Sequence, residues 1–249
     1  MDMSDLKSGE EAKVVISYEA FESFIKATSA IGEEIMVMVD KDGIKVRQMD
    51  IQHIMLVSAT LFDVYEFSYS FEDPTVLAIP TDILKNFKFK KDTKVVLTIK
   101  AGEAKIEFVN GDIRIERPLE IVNIYKSLDE PNWDFGAYVD VSVDHLKIFL
   151  KGVSKVSRNL LIEADQDKFV FSSPGEVKSI ELRLKSYSGE VKEPVKVAFG
   201  VDYIREIIKA LSSVADTVRI HIKTNRPAKI FKLKSKIKLS YGNRSERPS

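Results

Sequence analysis

Short apolar runs, many of them alternating with polar residues, fill most of the chain. In the first half they read EEIMVMVD, GIKVRQM, HIMLVSATL, TKVVLTI, AKIEFV and DIRIERPL, and in the second half NLLIEAD, KFVFSS, VKSIELRLK, TVRIHI, KIFKLK and KIKLSY. Turn residues bound each run, which is typical of β-strands. Apolar residues at helical spacing predict helices at 18–30, 81–88, 143–157 and 201–212.

This order of elements occurs twice. Residues 21–46 and 146–171 both run from an amphipathic helix through an apolar strand and an acidic turn (DKDG, then DQDK) into a second strand. Residues 77–87 match 197–207 in the same way, and residues 95–109 match 218–233. An offset of about 120–125 residues is too long for a solenoid repeat and indicates a duplicated domain.

The repeat predicts an α+β protein with two similar domains, each with two helices on one face of β-sheets. The stretch 118–135 fits neither copy and contains Pro118 and Pro131, so we interpret it as a connector between the domains. The predicted organisation is a flexible N-terminal lead-in at 1–11, a first domain at 12–117, the connector at 118–135 and a second domain at 136–249.

Composition and charge narrow the function classes. The chain of 249 residues has no cysteine, which excludes disulfides and thiolate chemistry. It has no apolar stretch of the length that a membrane-spanning helix needs. The net charge is zero, but residues 1–125 carry 15 basic and 22 acidic side chains, whereas residues 126–249 carry 23 and 16. This asymmetry favours a polyanionic partner, although chance scatter of charge is the alternative.

Basic residues recur on the polar sides of the predicted helices. Lys147, Lys151 and Lys155 are spaced by four and would form a row about 12 Å long on one helix face. The candidate residues for a basic surface are Lys26, Lys85, Lys88, Lys147, Lys151, Lys155, Arg158, Arg205 and Lys209. Such a surface would hold a phosphate backbone without sequence preference, and ordinary solvated helix faces are the alternative interpretation.

The run DKDGIKVRQMDIQHIMLVSATL at 40–61 resembles the hallmark segment of archaeal and eukaryotic sliding clamps, the proliferating cell nuclear antigen (PCNA) family. The resemblance extends over about 12–241. It implies a two-domain subunit, of which three close into a ring around double-stranded DNA, and it implies that the basic helix faces line the hole. It also implies a role in DNA replication and repair, in the cytoplasm of an archaeon or the nucleus of a eukaryote.

The same resemblance implies two protein-binding surfaces. Strand 112–119 of one subunit would pair with strand 177–185 of the next, with Ile113, Ile115, Ile180 and Leu182 at this interface. Client enzymes such as a polymerase, a clamp loader, a flap endonuclease and a ligase would dock at a pocket formed by Met49, His53, Ile54, Leu56, Leu128, Pro131, Pro227 and Tyr241. The chain ends with Gly242-Asn243-Arg244 where the family has a Leu-Ala-Pro-basic tail, so client choice stays open, as does homotrimer against heterotrimer.

Motifs for catalysis are missing from the sequence. His53, His145 and His221 are far apart, and no phosphate-binding loop, zinc-binding H-E-x-x-H or nucleophile elbow occurs. We therefore predict no enzymatic activity, no metal site, no cofactor and no membrane partner. Two other interpretations stay open, a peptide-binding scaffold that does not bind DNA and an unrecognised hydrolase.

Overall fold

A computed structural model of the protein describes residues 10–62, 64–85, 89–90, 92–100, 102–123, 128, 134–153, 155–175, 178–184, 187–232 and 237–243, the last span by its backbone alone. The chain forms two compact units. The first contains Met1–Gln48, Ser58–Asp129 and Lys236–Lys238, and the second contains Met49–Val57, Glu130–Ser235 and Leu239–Ser249.

The first half of the chain forms antiparallel strands and one α-helix. The strands are β1 (Glu11–Ser17), β2 (Glu34–Asp40), β3 (Gly43–Met49), β4 (Met55–Leu61), β5 (Val64–Tyr69), β6 (Thr75–Pro80), β7 (Lys94–Lys100), β8 (Glu103–Asn110) and β9 (Ile113–Ile121). Neighbouring strands follow the order β5-β1-β7-β8-β9-β6-β2-β3. Buried residues alternate with more exposed ones along β2 and β7, as the period of two requires.

Helix α1 (Tyr18–Thr28) lies against β1 and β7. The hydroxyl of Ser17 accepts a hydrogen bond from the backbone N–H of Ala20 at 3.1 Å, which caps the first turn. Phe21 and Phe24 are buried, and the ring of Phe21 lies edge-on to that of Phe108. A 3₁₀ turn at Ser29–Ile31 extends the helix, so the predicted segment 18–30 is helical over nearly its whole length.

The helix predicted at 81–88 is wrong for the residues that the structure describes. Residues 81–85 form a turn, in which Ile83 N–H donates to the Pro80 carbonyl at 3.1 Å and Lys85 N–H donates to the Asp82 carbonyl at 2.8 Å. Thr81 N–H instead donates to the Glu33 carbonyl, which draws the start of the segment away from a helical path. A segment this short gains too few helical bonds to offset the cost of nucleation. Residues 86–88 lie outside the described chain.

The second half of the chain forms two sheets. Its strands are β10 (Ala137–Ser142), β11 (Asn159–Ala164), β12 (Phe169–Pro174), β13 (Ser179–Leu184), β14 (Ser188–Val191), β15 (Val195–Gly200), β16 (Thr217–Ile222), β17 (Ala228–Lys232) and β18 (Ile237–Asn243). One sheet has the order β14-β10-β16-β17-β18 and the other β13-β12-β11-β15.

Two helices complete the second unit. They are α2 (Val143–Val153) and α3 (Val201–Leu211), and they contact each other. Helix α2 ends at Val153, four residues before the predicted end, and Lys155 N–H donates to the Gly152 carbonyl in the turn that follows. The order β10-α2-β11-β12 repeats the order β1-α1-β2-β3 of the first unit, as the sequence repeat predicts.

Candidate DNA-facing and partner-binding surfaces

The exposed face of α2 carries the predicted row of lysines. Its buried stripe includes Leu146, Phe149 and Leu150, which turns Lys147 and Lys151 toward solvent. The Lys147 ammonium lies 3.9 Å from the Asp144 carboxylate. Ile148 lies on the same face and is 73% exposed, which sequence reasoning missed because an isoleucine in an amphipathic helix is normally assigned to the core.

The row continues past the end of α2. Lys155 is exposed in the turn after the helix, and Arg158 is exposed immediately before β11. The backbone of Arg158 is fixed, because its carbonyl accepts a hydrogen bond from Val201 N–H at 2.8 Å at the start of α3. Residues 143–158 contain four basic side chains and one acidic side chain, which is a net charge of +3.

Helix α3 exposes the two predicted bases, but each is paired. Arg205 lies 2.7 Å from Asp202, and Lys209 lies 3.4 Å from Glu206. Residues 201–211 therefore have two basic and two acidic side chains and no net charge. The two bases that the sequence places on the polar side of this helix each lie beside an acid, because positions three apart bring opposite charges together on one side.

The remaining candidate bases belong to the first unit. Lys26 in α1 forms an ion pair with Glu22 at 2.8 Å, so this helix face is also neutralised locally. Lys85 is exposed in the turn at 81–85. Lys88 lies outside the described residues. Among the candidate bases, those on α2 and in the residues that follow it therefore have the largest excess over acids in their own segment.

The loop 50–54 between β3 and β4 is held by one carboxylate. Asp50 Oδ1 accepts hydrogen bonds from Ile54 N–H at 2.8 Å and from Met55 N–H at 2.7 Å. Asp50 N–H donates to the Met55 carbonyl at 2.9 Å, which closes the loop. His53 has a φ of 57°, in the left-handed region that few non-glycine residues adopt.

These bonds leave an isoleucine at the tip of the loop in solvent. Ile51 is 95% exposed, and sequence reasoning did not single it out. The hydroxyl of Tyr203 in α3 donates to the side-chain oxygen of Gln52, which anchors the loop a second time. The loop thus presents an apolar side chain to solvent in a position that hydrogen bonds at two points hold.

The predicted pocket residues lie in unlike environments. Met49 and Ile54 are half-buried and His53 is exposed, whereas Leu56 is only 8% exposed and belongs to the core. The carbonyl of Leu128 accepts a hydrogen bond from Arg47 at 3.0 Å in the first unit.

The rest of the predicted pocket comes from the end of the chain and from the connector. Pro227 is half-buried directly before β17, and the backbone of Tyr241 in β18 pairs with Ile230. Pro131 lies outside the described residues. The composition of the pocket therefore stays a prediction.

Both strands predicted at the subunit interface offer an open edge. Strand β13 lies at the end of its sheet and pairs with β12 alone among the described strands. Residues 113–119 of β9 pair with β8, while the contact of β9 with β6 involves Leu77 and Ala78 at its far end. Ile113 is 65% exposed, and Ile115, Ile180 and Leu182 are half-buried. Open edges with apolar side chains can accept strands from another chain.

Several known proteins are similar to this chain in sequence. Residues 129–243 match the profile of the family "Proliferating cell nuclear antigen, C-terminal domain". A DNA polymerase sliding clamp from Pyrococcus furiosus is 27% identical over 215 residues, which cover 83% of this chain and 86% of the relative. DNA polymerase sliding clamp 1 from Pyrobaculum aerophilum is 25% identical over 250 residues, 92% and 97% of the two chains.

Residues 129–243 match the PCNA family's C-terminal domain, and the chain is similar to archaeal DNA polymerase sliding clamps over more than four fifths of its length. The resemblance read from residues 40–61 is therefore confirmed. The archaeal relatives are named DNA polymerase sliding clamps. The alternative interpretation, a scaffold that does not bind DNA, is therefore not favoured.

Solved PCNA structures show the same fold. The crystal structure of PCNA from Entamoeba histolytica matches with a TM-score of 0.83 and 18% identity over 96% of this chain and all of that one. A. fulgidus PCNA bound to the C-terminal region of FEN-1 matches with a TM-score of 0.80 and 19% identity, covering 96% and 99% of the two chains. The predicted α+β duplicated clamp fold is confirmed.

The second unit also carries an aromatic cluster that the sequence did not reveal. His221 in β16 stacks on Tyr138 in β10 with ring centroids 5.3 Å apart, and Phe135 and Phe231 contact its other sides. The guanidinium of Arg219 lies 4.3 Å from the Tyr138 ring centroid. Cross-strand pairing of Tyr138 with His221 builds the cluster, and register could not be read from one strand alone.

Burial governs the chemistry of this cluster. The Nε2 atom of His221 is buried without a hydrogen-bond partner. Desolvation, reinforced by the charges of Arg219 and Lys229, lowers the pKa of His221 to about 4. The Arg219 guanidinium donates to both carboxylate oxygens of Asp140, at 2.7 and 2.9 Å, and holds the pKa of that carboxyl below its usual value.

Among the residues that the structure describes, no group of three or more His, Cys, Asp and Glu side chains is arranged to hold a metal ion. Within the same residues, none of the helices has both the length and the apolar character needed to cross a membrane.

Proposed function

We propose that this protein is a subunit of a ring-shaped DNA sliding clamp that encircles duplex DNA and tethers replication and repair enzymes to it. The observation that carries the proposal is the exposed basic row on α2 and the turn after it, with Lys147, Lys151, Lys155 and Arg158. The row belongs to a chain whose curated relatives are named DNA polymerase sliding clamps. Partners of this kind place the protein in the compartment that holds the DNA, which is the cytoplasm of an archaeon or the nucleus of a eukaryote.

The basic row suits a contact with the DNA phosphate backbone that lets the protein slide along the duplex. Ammonium groups attract phosphates through charge and have no planar fork that would read base edges. Each contact releases a counterion, so the affinity should fall steeply with salt and should not depend on sequence. Retention would then come from encirclement, and the individual contacts would stay weak enough for movement along the duplex.

Ring closure would use the open edges of β9 and β13. We propose that residues 113–119 of one subunit pair with residues 179–184 of the next, with Ile113, Ile115, Ile180 and Leu182 packing across the contact. A head-to-tail contact of this type uses two different patches and closes into a ring when its rotation allows. Three subunits, all identical or of different sequence, would complete it.

Client enzymes would dock beside the loop 50–54. A. fulgidus PCNA binds the C-terminal region of FEN-1, and we propose that this chain holds client segments in a comparable way. Ile51 and Ile54 would supply apolar contact, with Met49, His53, Leu128, Pro131, Pro227 and Tyr241 around them. A polymerase, a clamp loader, a flap endonuclease and a ligase are the client types that this function requires.

We also propose that the protein acts without catalysis of its own. Encirclement needs no bond making, because a closed ring leaves a duplex only at an end or after opening. The loader would supply the energy for opening and closing the ring. This chain would form the closed ring and the surfaces on which clients dock.

A retention experiment tests the function. The full-length chain, with any sister subunits needed to complete the ring, is loaded onto DNA attached to beads, and retention at physiological salt is compared before and after linearisation. A clamp is retained on closed circular DNA and lost from linear DNA. Equal retention on both forms would indicate a simple surface contact, and no retention on either would refute the proposal.

A further inference from the structure

The two helices of the second unit differ in charge although both expose basic residues. Residues 143–158, which include α2, have a net charge of +3, whereas residues 201–211 of α3 have none. The first segment has four bases and one acid, whereas the second has two bases and two acids. The acids of α3, Asp202 and Glu206, form ion pairs with Arg205 and Lys209 on the same side of the helix.

The ion pairs on α3 follow from helix geometry. Arg205 follows Asp202 by three positions and Lys209 follows Glu206 by three, so each base lies beside an acid on the same face. The shorter contact is 2.7 Å, between the Arg205 guanidinium and the Asp202 carboxylate. Glu206 also lies 3.9 Å from Arg205, so its carboxylate lies between both bases.

These carboxylates are accessible enough to interact with the phosphates of a bound duplex. The side chain of Lys209 is 76% exposed and that of Glu206 is 46% exposed, so a duplex that approaches Lys209 also approaches Glu206. The carboxylate repels phosphate and competes with it for the ammonium.

We infer that Asp202 and Glu206 limit the affinity of α3 for DNA, so that duplex DNA is held mainly by the α2 row. This inference rests on the proposed function, since it concerns the DNA that a clamp encircles. One helix then attracts the phosphate backbone and its neighbour does not, so the total affinity for DNA stays moderate. The two acids thus set how firmly the clamp holds DNA and how easily it slides along it.

The test measures the salt dependence of binding to a labelled DNA duplex. Glu206→Gln removes the carboxylate and keeps its shape, which frees Lys209 for one phosphate. The slope of log K against log salt should steepen by about 0.9, and the affinity near 0.1 M salt should rise roughly two- to tenfold. Glu190→Gln on β14 is the matched control, because it makes the same charge change at an exposed strand position of the same unit.

A double-mutant cycle identifies the pair. Lys209→Gln should change the slope little in the wild-type background, where Glu206 already balances the lysine. In the Glu206→Gln background the same change should remove the whole gain. Coupling between the two substitutions supports the inference, and additive effects contradict it.

The outcomes separate this inference from the proposed function. Failure of the wild-type protein both to bind duplex DNA at low salt and to be retained on closed circular DNA would refute the clamp function itself. Normal wild-type binding with an unchanged slope for Glu206→Gln would refute only the inference. An equal gain for Glu190→Gln would also refute it, since net charge alone would then explain the effect.

Discussion

A Cβ atom on Gly152 would lie 3.0 Å from Cδ1 of Ile180. The absence of a side chain at this position of α2 lets the isoleucine of β13 rest directly on the helix. Glycine inside a helix costs about 1 kcal/mol relative to alanine, so the close approach has to return a benefit. That benefit is the position of β13, the strand with the open edge.

Gly152→Val should therefore weaken subunit association. The branched side chain would displace Ile180 and tilt the strand edge that we expect to pair with a neighbour. The molar mass in solution, measured with any sister subunits present, should shift toward single chains at micromolar concentration.

Lys151→Val is the control for this change, since it introduces the same β-branched residue at the adjacent, exposed position of the helix. It should lower the melting temperature slightly and leave the molar mass unchanged. Full assembly of Gly152→Val would show that β13 is not part of the subunit contact.

Replacement of Lys147, Lys151 and Lys155 with alanine should impair retention on circular DNA without loss of assembly. Each lysine that contacts a phosphate contributes about 0.9 to the slope of log K against log salt, so the slope should flatten by up to about 2.7. Retention on beads and molar mass are measured together.

A triple alanine variant at Lys168, Lys192 and Lys196 is the matched control, because it removes the same charge from exposed positions elsewhere in the second unit. Equal losses of retention in the two variants would mean that net charge alone governs binding and that the α2 row has no special role.

Ile51→Ser and Leu56→Ser should have opposite consequences, although the two residues are only five positions apart. Ile51 is exposed, so its replacement should change the unfolding free energy by less than about 0.5 kcal/mol and weaken the binding of a client segment. Leu56 is buried, so its replacement should destabilise the fold by about 2–5 kcal/mol.

Thermal melts and titration with a client C-terminal peptide distinguish the two effects. Unchanged peptide affinity for Ile51→Ser would remove this residue from the docking surface, and a large fall in its melting temperature would mean that the side chain is buried in solution.

His221→Phe should abolish a pH dependence of stability between pH 4 and 6.5. The pKa of His221 is about 4 in the fold and about 6.5 in the unfolded chain, so the unfolded state binds a proton first as the pH falls. Stability from the neutral imidazole is complete above pH 6.5 and declines toward pH 4.

For this half-buried group we expect the wild type to lose about 1–3 kcal/mol more than the variant over that range. Chemical denaturation at pH 7.5 and pH 4.5 gives both values. Equal pH dependence for the two proteins would mean that His221 is already solvated and titrates normally.

Much of the fold was predictable because the repeat and the strand periods are local properties of the sequence. Phe21 and Phe24 follow the helical spacing that predicts a helix at 18–30, and the structure buries both in α1. The helix prediction for 81–88 was wrong because the apolar spacing there is helical, whereas the Thr81 N–H is held by the carbonyl of Glu33, which is distant in sequence. No local pattern reports such a contact.

The candidate site was predictable in part. The lysine row of α2 follows from spacing alone, and the structure exposes Lys147 and Lys151 as expected. The acids Asp202 and Glu206 of α3 are also visible in the sequence, but their ion pairs with Arg205 and Lys209 depend on side-chain positions that only the structure shows. The His221 cluster depends on the register between β10 and β16, which one sequence cannot specify.

The open edges of β9 and β13 have a consequence for the cell. A chain made in excess of its partners would leave bare strands that recruit any compatible neighbour, including further copies in a growing fibre. Synthesis matched to that of the partners, or rapid degradation of the surplus, would then be part of keeping replication supplied with usable rings.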